Sequence, residues 1–527
     1  MPLLTMAFPS QKEIVNTSPK TDPPNIIFIL ADDLGKGLLS HYGQKIINTP
    51  HIDQLAQDGI TFENAYSGMV CSPSRASLIS GFRDCSPYNF QITKGGIYKK
   101  ISDGTYTNQQ IQDKINSALT PPNKDDVFLG EVAQKAGYVT GQFGKLEWGF
   151  AATHQQMLRH GWDEYYGYLD HVRAHGFYPP FLFRNGEVEY IEGNTQADCG
   201  KTKENETPEK YKERWDMEGK TVYSQHLFMN NVLQFISKNK DKPFFLYFPT
   251  QLPHGPVSVP AVHPEFANNK QLTQIEKEYA SMVKMLDDNV GQIMAHLKNL
   301  GIDENTLVIF ASDNGHEIYY TQEGRVSKPY KNVKTGERFD DLKSKFYSDI
   351  GGDVFNGNGG RAGLKRSNLQ GGIQAPLIAR WPKKIAKGQK SNLLVANYDF
   401  VATIADVTGY KGKVKTDGLS FYDELIGKGN KQEHDYVAYA SFTGPVIITK
   451  EGWKLRTHLP KNAFELFYLP DDYREENDLS KKYPEKVIAL KKEMLKACNG
   501  DLKNGLFTNA KNLIDAEKVT EKNVKQK

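Results

Sequence analysis

The stretch NIIFILADDLG, residues 25–35, passes from a continuous apolar run into two aspartates and a glycine. An unbroken apolar run is typical of a parallel strand buried on both faces, and the acidic end marks the loop that follows. Two further stretches repeat this pattern, PFFLYFPTQLPHGP at residues 243–256 and TLVIFASDNGHE at residues 306–317. The recurrence predicts a sheet of buried strands, each of which ends in a polar loop.

Apolar residues between the second and third of these stretches recur at helical spacing from Tyr279 to Leu297. Strands that alternate with helices predict an α/β fold, with a central sheet and helices on both of its faces. Ligands bind such sheets outside the carboxyl ends of the strands. The loops ADDLG, LPHGP and SDNGHE are therefore expected to build one site from distant parts of the chain.

The pattern of apolar residues changes at about Asp435. Four short runs rich in β-forming residues follow one another from there: YVAYASF, PVIITK, WKLRTH and FELFYL. A helical segment from Tyr483 to Leu495 comes next, which predicts a small α+β domain with a short antiparallel sheet and one helix. We expect a disordered leader over residues 1–24, the main α/β domain over residues 25–430, the smaller domain over residues 431–500 and a tail over residues 501–527.

Composition narrows the class of protein. The 527 residues include 66 Lys and Arg against 63 Asp and Glu, and a net charge of +3 does not indicate a nucleic-acid partner. Four cysteines do not make a disulfide scaffold for a chain of this size, although one pair could bridge. The sequence has no apolar run of about 20 residues, so no membrane span is expected.

The stretch CSPSRASLISG, residues 71–81, contains the candidate reactive group. Cys71 and Arg75 are one helical turn apart at the predicted start of a helix, where free backbone N–H groups attract an anion. A nucleophile would then lie beside a cation that can hold a negatively charged substrate. A cysteine near an arginine is equally compatible with a buried structural cysteine, so the pair does not decide the function.

The order Cys-x-Pro-Ser-Arg followed by Ala-Ser-Leu-x-Ser-Gly resembles the signature of the type I sulfatases, in which a separate enzyme oxidises the cysteine to formylglycine. The resemblance extends from Asn25 to about Leu479 and includes the bacterial polysaccharide sulfatases. It implies an alkaline phosphatase-like central sheet, formylglycine at Cys71 and a formylglycine-generating enzyme as a partner during maturation. It also implies a periplasmic or secreted protein, although MPLLTMAF at the amino terminus does not read as a complete export signal.

Two pairs of oxygen-bearing side chains match the metal site of that family: Asp32 with Asp33, and Asp313 with Asn314, completed by the modified Cys71. The resemblance implies one Ca²⁺ per chain, with Mg²⁺ as the possible substitute, and oxygen ligands of this kind suit either hard cation. Taken separately, each pair is explained equally well by a helix cap or a turn. Both pairs follow predicted strands, which favours the metal site.

Three cations and one histidine match the groups that contact the sulfate ester in this family. Lys145 lies in FGKLEWG, Lys365 lies in GLKRSNLQGGIQAP, and both are expected to join Arg75 on the sulfate oxygens. His254 in LPHGP matches the histidine near the leaving-group oxygen and is expected to protonate it. Because isolated lysines and loop histidines are usually solvated, these assignments depend on motif position.

One position departs from the family pattern, because Glu147 replaces the histidine that usually follows the motif lysine by two residues. A carboxylate would repel a sulfate ester, so we expect Glu147 to turn away from the pocket and pair with a cation or cap backbone groups. The catalytic base should come from the next segment, which contains His154, His160, His171 and His175. We favour His175 as the base, and a role of His175 in positioning the substrate only is equally open. The stretch YLDHVRAHGFYPPFLFRNGE at residues 168–187 resembles a stretch of polysaccharide sulfatases from marine and gut bacteria.

The resemblance implies a hydrolase that removes sulfate from a sulfated oligo- or polysaccharide, with a marine galactan such as carrageenan as the first expectation and a glycosaminoglycan as the second. Three alternatives stay open. The chain could be a phosphate or phosphonate ester hydrolase of the same superfamily, or a catalytically silent carbohydrate-binding relative, as Glu147 suggests. A cysteine protease based on Cys71 and His254 is also conceivable, but the acidic pairs have no part in that chemistry.

Overall fold

The computed structural model describes residues 22–507 and 513–514, except residues 87, 89, 91, 94–95, 121, 150, 196–215, 321–331, 333–334, 338 and 430–431. Most of the expected leader, most of the expected tail and Cys199 lie outside the described residues. Within the described residues, every helix is too short or too polar to cross a lipid bilayer.

The strands occur in chain order as β1 Asn25–Ala31, β2 Ile60–Phe62, β3 Ala65–Tyr66, β4 Ile92–Thr93, β5 Val139–Gly144, β6 Glu164–Gly167, β7 Phe181–Arg184, β8 Glu187–Tyr190, β9 Phe244–Pro249, β10 Thr306–Ser312, β11 Leu377–Arg380, β12 Gln389–Ser391, β13 Val395–Ala396, β14 Tyr436–Tyr439, β15 Val446–Thr449, β16 Trp453–His458, β17 Ala463–Tyr468 and β18 Leu513–Ile514. The three apolar stretches singled out in the sequence are β1, β9 and β10.

The α-helices are α1 Pro50–Gln57, α2 Cys71–Ser80, α3 Lys99–Ser102, α4 Asn108–Ala118, α5 Leu129–Lys135, α6 His154–Arg159, α7 Ser224–Asn239, α8 Pro264–Ala267, α9 Gln274–Asn299, α10 Ser348–Gly351, α11 Gln370–Ile373, α12 Phe400–Thr408, α13 Tyr422–Leu425 and α14 Pro484–Ala497. Short 3-10 helices lie at Lys36–Leu38, Ser40–Tyr42, Arg173–His175, Asn397–Asp399, Leu459–Lys461 and Leu502–Gly505. The helical spacing read from Tyr279 to Leu297 belongs to α9.

The central sheet has the strand order β12-β2-β11-β10-β1-β9-β5-β6-β7-β8 among the described residues. The middle of the sheet is parallel, because β1 pairs in parallel with both β10 and β9, and β5 pairs in parallel with β9 and β6. The flanks are antiparallel at the pairs β10–β11, β6–β7 and β7–β8. The sheet is therefore mixed, and the buried strands with long apolar runs occupy its parallel centre.

Side chains of the central strands alternate between two apolar cores. Ile27 and Ile29 of β1 pack on one face with α7 and α9, whereas Ile26 and Phe28 pack on the other face with α5 and α12. This alternation follows from the two-residue period of a strand. The predicted α/β fold with helices on both faces of the sheet is confirmed.

A second, four-stranded sheet follows the central one along the chain and has the antiparallel order β14-β15-β16-β17. Leu490 and Met494 of α14 pack in one cluster with Ile447, Leu455 and Leu466 of this sheet. The predicted short antiparallel sheet with one helix is confirmed. The domain boundaries proposed from the sequence stay predictions, and residues 430–431 lie outside the described part of the chain.

Candidate active site

Four parallel strands of the central sheet end at the same edge, and a candidate residue follows each of them. Asp32 follows β1, Lys145 follows β5, His254 lies in the loop after β9, and Asp313 follows β10. Backbone hydrogen bonds between these loops hold them together: Asp32 N–H donates to Leu252 O at 3.0 Å, and Lys145 N–H donates to Pro249 O at 2.7 Å. The strand order thus brings distant residues to one place.

Side chains at the end of β10 hold the turn that follows β1. Asp33 has a φ of 64°, in the left-handed region that costs a residue with a Cβ atom conformational energy. Its backbone N–H donates to Asp313 Oδ1 at 3.1 Å, and the next N–H, of Leu34, donates to Ser312 Oγ at 3.0 Å. Strained backbone that is held by its surroundings is common at functional sites.

Cys71 is the first residue of α2, and every residue of this helix is buried. The N-cap residue, Val70, offers no side-chain cap, so N–H groups at the start of the helix can receive an anion. The Cys71 Sγ lies 3.4 Å from His171 Nε2 and 3.9 Å from Lys365 Nζ. The sequence-predicted nucleophile is therefore surrounded by groups that donate protons or positive charge.

Three buried cations face the carboxylates of the site. Arg75 Nε lies 2.8 Å from Asp313 Oδ2, and a terminal guanidinium nitrogen of Arg75 lies 3.7 Å from Asp32 Oδ1. Lys145 forms an ion pair with Asp32, and Lys365 Nζ lies 2.7 Å from the carboxylate of Asp33. Three basic side chains thus face three carboxyl groups in a buried environment.

The two aspartates after β1 differ in their acidity. Burial raises the pKa of Asp32 to about 7, although the nearby Lys145 acts in the opposite direction. Burial also acts to raise the pKa of Asp33, but the charge and hydrogen bond of Lys365 outweigh it and hold the pKa at about 2. The same ion pair raises the pKa of Lys365 against the effect of burial. Asp33 and Lys365 therefore stay charged at neutral pH.

The site offers oxygen atoms that are free to bind a cation. Asp32 Oδ1 and Asn314 Oδ1 are buried and accept no hydrogen bond. One potential ligand atom each from Asp32, Cys71 and Asp313 lies within 4.8 Å of the others, and the same holds for Asp32, Asp33 and His254. Buried acceptors without donors are costly unless a ligand satisfies them. Their oxygen chemistry fits Ca²⁺ or Mg²⁺, so the residues present fit the expected metal.

Glu147 has a structural environment of its own. Its side chain is buried, and its two carboxylate oxygens form hydrogen bonds with His160 Nδ1 and Trp162 Nε1. The His160 ring also stacks on Trp148, with ring centroids 5.1 Å apart. Both carboxylate oxygens of Glu147 therefore accept hydrogen bonds from protein groups. The His160 ring is held by Glu147 and Trp148. His154 lies elsewhere, with its Nδ1 3.3 Å from the Tyr165 hydroxyl.

Two histidines of the next segment do reach the site. His171 Nε2 contacts Cys71 Sγ, and the His175 ring stacks face to face on His254 with centroids 4.2 Å apart. The rings of His171 and His175 meet edge to face at 4.6 Å. The carboxylate of Asp170 holds this turn by accepting backbone N–H groups, among them that of Val172 at 2.9 Å. The turn at His171 and the short 3-10 helix Arg173–His175 thus bring both imidazoles to the site.

Tyr319 is a site residue that the sequence analysis did not identify. Its hydroxyl donates a hydrogen bond to Asp33 Oδ2, and its ring lies 5.1 Å from that of His254. Burial and the charge of Asp33 raise the pKa of Tyr319, which keeps the hydroxyl protonated as a donor. The only sequence hint is its position, six residues after Asp313 in the loop that follows β10.

A family model described as Sulfatase matches residues 24–410 of the chain. The chain belongs to the sulfatase family. A second model, described as N-sulphoglucosamine sulphohydrolase, C-terminal, matches residues 364–500 and includes the four-stranded sheet. The family resemblance stated from the motifs, and the enzyme class of sulfuric ester hydrolases that it implies, are confirmed at the level of the family.

Named sulfatases are similar to this chain over much of its length. N-acetylgalactosamine-6-sulfatase of Rattus norvegicus is 30% identical over 397 residues, which cover 74% of this chain and 63% of the rat protein. N-acetylgalactosamine-6-O-sulfatase of Bacteroides thetaiotaomicron is 27% identical over 543 residues, which cover 91% of this chain and 94% of that relative. The crystal structure of Ps i-CgsB with k-i-k-neocarrahexaose has a TM-score of 0.66 and 24% identity, and covers 96% of this chain and 97% of that one.

Proposed function

We propose that this sulfatase-family protein hydrolyses sulfate esters of a sulfated carbohydrate, with formylglycine formed from Cys71 and one calcium ion bound by Asp32, Asp33, Asp313, Asn314 and residue 71. One observation carries the proposal. The Cys71 side chain lies at the buried start of α2, between the acidic cluster and the cations Arg75, Lys145 and Lys365. Maturation then requires a formylglycine-generating enzyme as a partner.

The buried cations and the start of α2 bind and orient the sulfate group. A lysine ammonium has three N–H donors, so Lys145 and Lys365 can each keep an aspartate partner and also donate to a sulfate oxygen. Arg75 adds a planar donor that is fixed by Asp313 at 2.8 Å. When bound, the calcium ion and the formylglycine supply charge neutralisation and the attacking hydroxyl, respectively.

We propose that His254 protonates the sugar oxygen as the sulfur–oxygen bond breaks. Its Nδ1–H donates to Gly255 O, which leaves Nε2 facing the cluster. Nε2 lies 3.4 Å from Asp33 Oδ2 and 3.2 Å from Lys365 Nζ, so it faces the groups that would surround the sulfate ester. The Tyr319 ring and the stacked His175 hold the His254 ring in this position.

A base is also needed to take a proton from residue 71 when sulfate leaves. The expectation from the sequence was His175, which has a ring nitrogen within 4.8 Å of Cys71 Sγ, whereas the shorter contact of 3.4 Å belongs to His171. We assign this proton to His171, with His175 packed between His171 and His254 as the group that orients both rings. Glu147 takes no part, because His160 and Trp162 occupy its carboxylate.

The substrate that we propose is a sulfated sugar of galacto configuration. The two relatives compared above are named N-acetylgalactosamine-6-sulfatase and N-acetylgalactosamine-6-O-sulfatase, and Ps i-CgsB was crystallised with a neocarrahexaose, whose rings derive from galactose. A galactan such as carrageenan and a glycosaminoglycan that contains galactosamine share this ring geometry. Sulfated polysaccharides are too large and too highly charged to cross a cell membrane unaided, so we propose a periplasmic or secreted bacterial enzyme.

Sulfate release from a matched set of esters tests the proposal. The set pairs sulfated carrageenan oligosaccharides with N-acetylgalactosamine 6-sulfate, and adds a phosphate monoester and a phosphonate monoester of one phenol. Sulfate is measured by ion chromatography, and reaction of either phosphorus ester is measured by the absorbance of the phenol that it releases. We expect turnover of at least one sulfated sugar and slow reaction of both phosphorus esters. A faster reaction of a phosphorus ester would replace the proposal with the hydrolase of the same superfamily, and no turnover would favour a silent binding protein.

A further inference from the structure

Two buried cysteines outside the active site lie in one small cluster. Cys85 and Cys498 are both fully buried, and their apolar neighbours in this cluster are Ala438, Ala440 and Ala497. The Cys85 Sγ lies 4.0 Å from the carbonyl oxygen of Ala497, the residue next to Cys498. Both cysteines are reduced thiols in this structure.

The two thiols share one buried cluster and are close enough for Cys498 to affect the acidity of Cys85. The interaction with the Cys498 thiol is the largest cause of the raised pKa of Cys85, and burial adds to it. A thiol pair surrounded by alanine side chains lacks the four ligands of a structural zinc site. Two buried thiols also pack adequately as small apolar groups, which is the alternative that a test must separate.

The two cysteines lie between the segment that follows the active-site helix α2 and the end of α14, the last α-helix among the described residues. Cys85 follows α2, the helix that begins with Cys71 and contains Arg75, and Cys498 directly follows α14. Ala438 of β14 packs in the same cluster, and Asp84 Oδ1 accepts the backbone N–H of Ala440, the residue that follows β14, at 2.7 Å. A bond between the two sulfurs would tie the end of α2 to the C-terminal sheet and its helix.

We propose that Cys85 and Cys498 form a disulfide bond when the protein folds in an oxidising compartment. Each thiol loses one hydrogen, a sulfur–sulfur bond forms, and the disulfide of a thiol–disulfide oxidoreductase is reduced to two thiols. The bond forms while the two segments are still accessible, because a buried thiol of raised pKa reacts slowly. In the folded protein the Cys71 sulfur lies in the active site, where it contacts His171 and Lys365 and not this pair. This inference does not depend on the proposed function.

The test uses the full chain exported to the periplasm of a bacterial host. Cells are lysed in denaturant with N-ethylmaleimide, which blocks free thiols, and the protein is digested without reductant and analysed by mass spectrometry. We expect a cross-linked peptide pair that contains Cys85 and Cys498 and that separates on reduction. The oxidised protein should have a Tm about 5 °C above that of the reduced protein, since the bond closes a loop of most of the chain.

Matched variants identify the pair. Cys85→Ser and Cys498→Ser should each remove the cross-link and the Tm difference between oxidising and reducing buffer, whereas Cys199→Ser should retain both. The inference is overturned if exported wild-type protein carries N-ethylmaleimide on Cys85 and Cys498, or if either cysteine is linked to Cys199 instead. A cross-link without activity on any sulfate ester would leave this inference intact while removing the proposed function.

Discussion

Buried carboxylates occur in two neighbouring parts of this protein and behave differently. In the cluster of Asp32, Asp33 and Asp313, three cations balance the charge, yet Asp32 Oδ1 accepts no hydrogen bond. In the pocket of Glu147, both carboxylate oxygens are occupied by the donors His160 and Trp162. An unused buried acceptor indicates a place for a ligand, whereas a fully used one indicates structure. Residue type alone does not separate the two.

The substitution with the largest expected effect removes the proposed nucleophile, Cys71, which lies beside the cluster of Asp32, Asp33 and Asp313. Cys71→Ala should lower sulfate release by roughly 10⁴-fold or more, because the attacking group is lost while the cations remain. The Tm should change little, as alanine suits the first turn of a helix. Peptide mass spectrometry of the active wild-type protein should show formylglycine at position 71. Full activity with only an unmodified thiol there would refute the proposed chemistry.

Removing the metal should have the next largest effect. Chelator treatment should abolish sulfate release and added calcium should restore it, with one ion per chain by elemental analysis. Asp313→Asn should weaken calcium binding more than roughly 100-fold, since a charged oxygen ligand is lost. The matched control is Glu147→Gln, which changes a buried carboxylate in the same way but should leave calcium affinity unaltered. Full activity of metal-free protein would exclude the metal site.

A third experiment separates the imidazoles. His171→Ala should release about one sugar per chain in a rapid burst and then turn over roughly 10²- to 10⁴-fold more slowly, because the base for the second half of the reaction is missing. His175→Ala should reduce both phases by a smaller factor, since that ring orients its neighbours. Glu147→Gln should show no burst. A burst from Glu147→Gln and none from His171→Ala would reverse the assignment.

Substitutions of Glu147 should have the smallest effect on activity, and they should lower the stability of the fold instead. Glu147→Ala leaves the ring N–H groups of His160 and Trp162 without their acceptor and should lower the free energy of unfolding by about 2 kcal/mol. Glu147→Gln keeps one acceptor oxygen and should cost less. Urea denaturation measures both, and kcat of the folded fraction should stay within a few-fold of wild type. A large loss of kcat with unchanged stability would place Glu147 in the mechanism.

Local patterns in the sequence were sufficient for most of the fold. The apolar runs of β1, β9 and β10 mark strands because burial on both faces demands continuous apolar residues, and the spacing from Tyr279 to Leu297 marks α9 because one side of that helix is buried. The small antiparallel sheet and its helix were likewise readable from alternation and length. The antiparallel flanks of the central sheet were not, because strand direction depends on pairing partners.

For the site, the sequence by itself determined the family, and it pointed to Cys71 with Arg75 and to two oxygen-bearing pairs at strand ends as candidate site residues, because all of these lie in short contiguous motifs. Only the tertiary structure showed that His171 contacts Cys71 and that Tyr319 donates a hydrogen bond to Asp33. It also showed that His160 is hydrogen-bonded to Glu147 and that Cys85 lies in one cluster with Cys498. These are contacts between segments far apart in the chain. Their geometry depends on how sheet, loops and helices pack, and no local pattern records which of several histidines or cysteines that packing brings together.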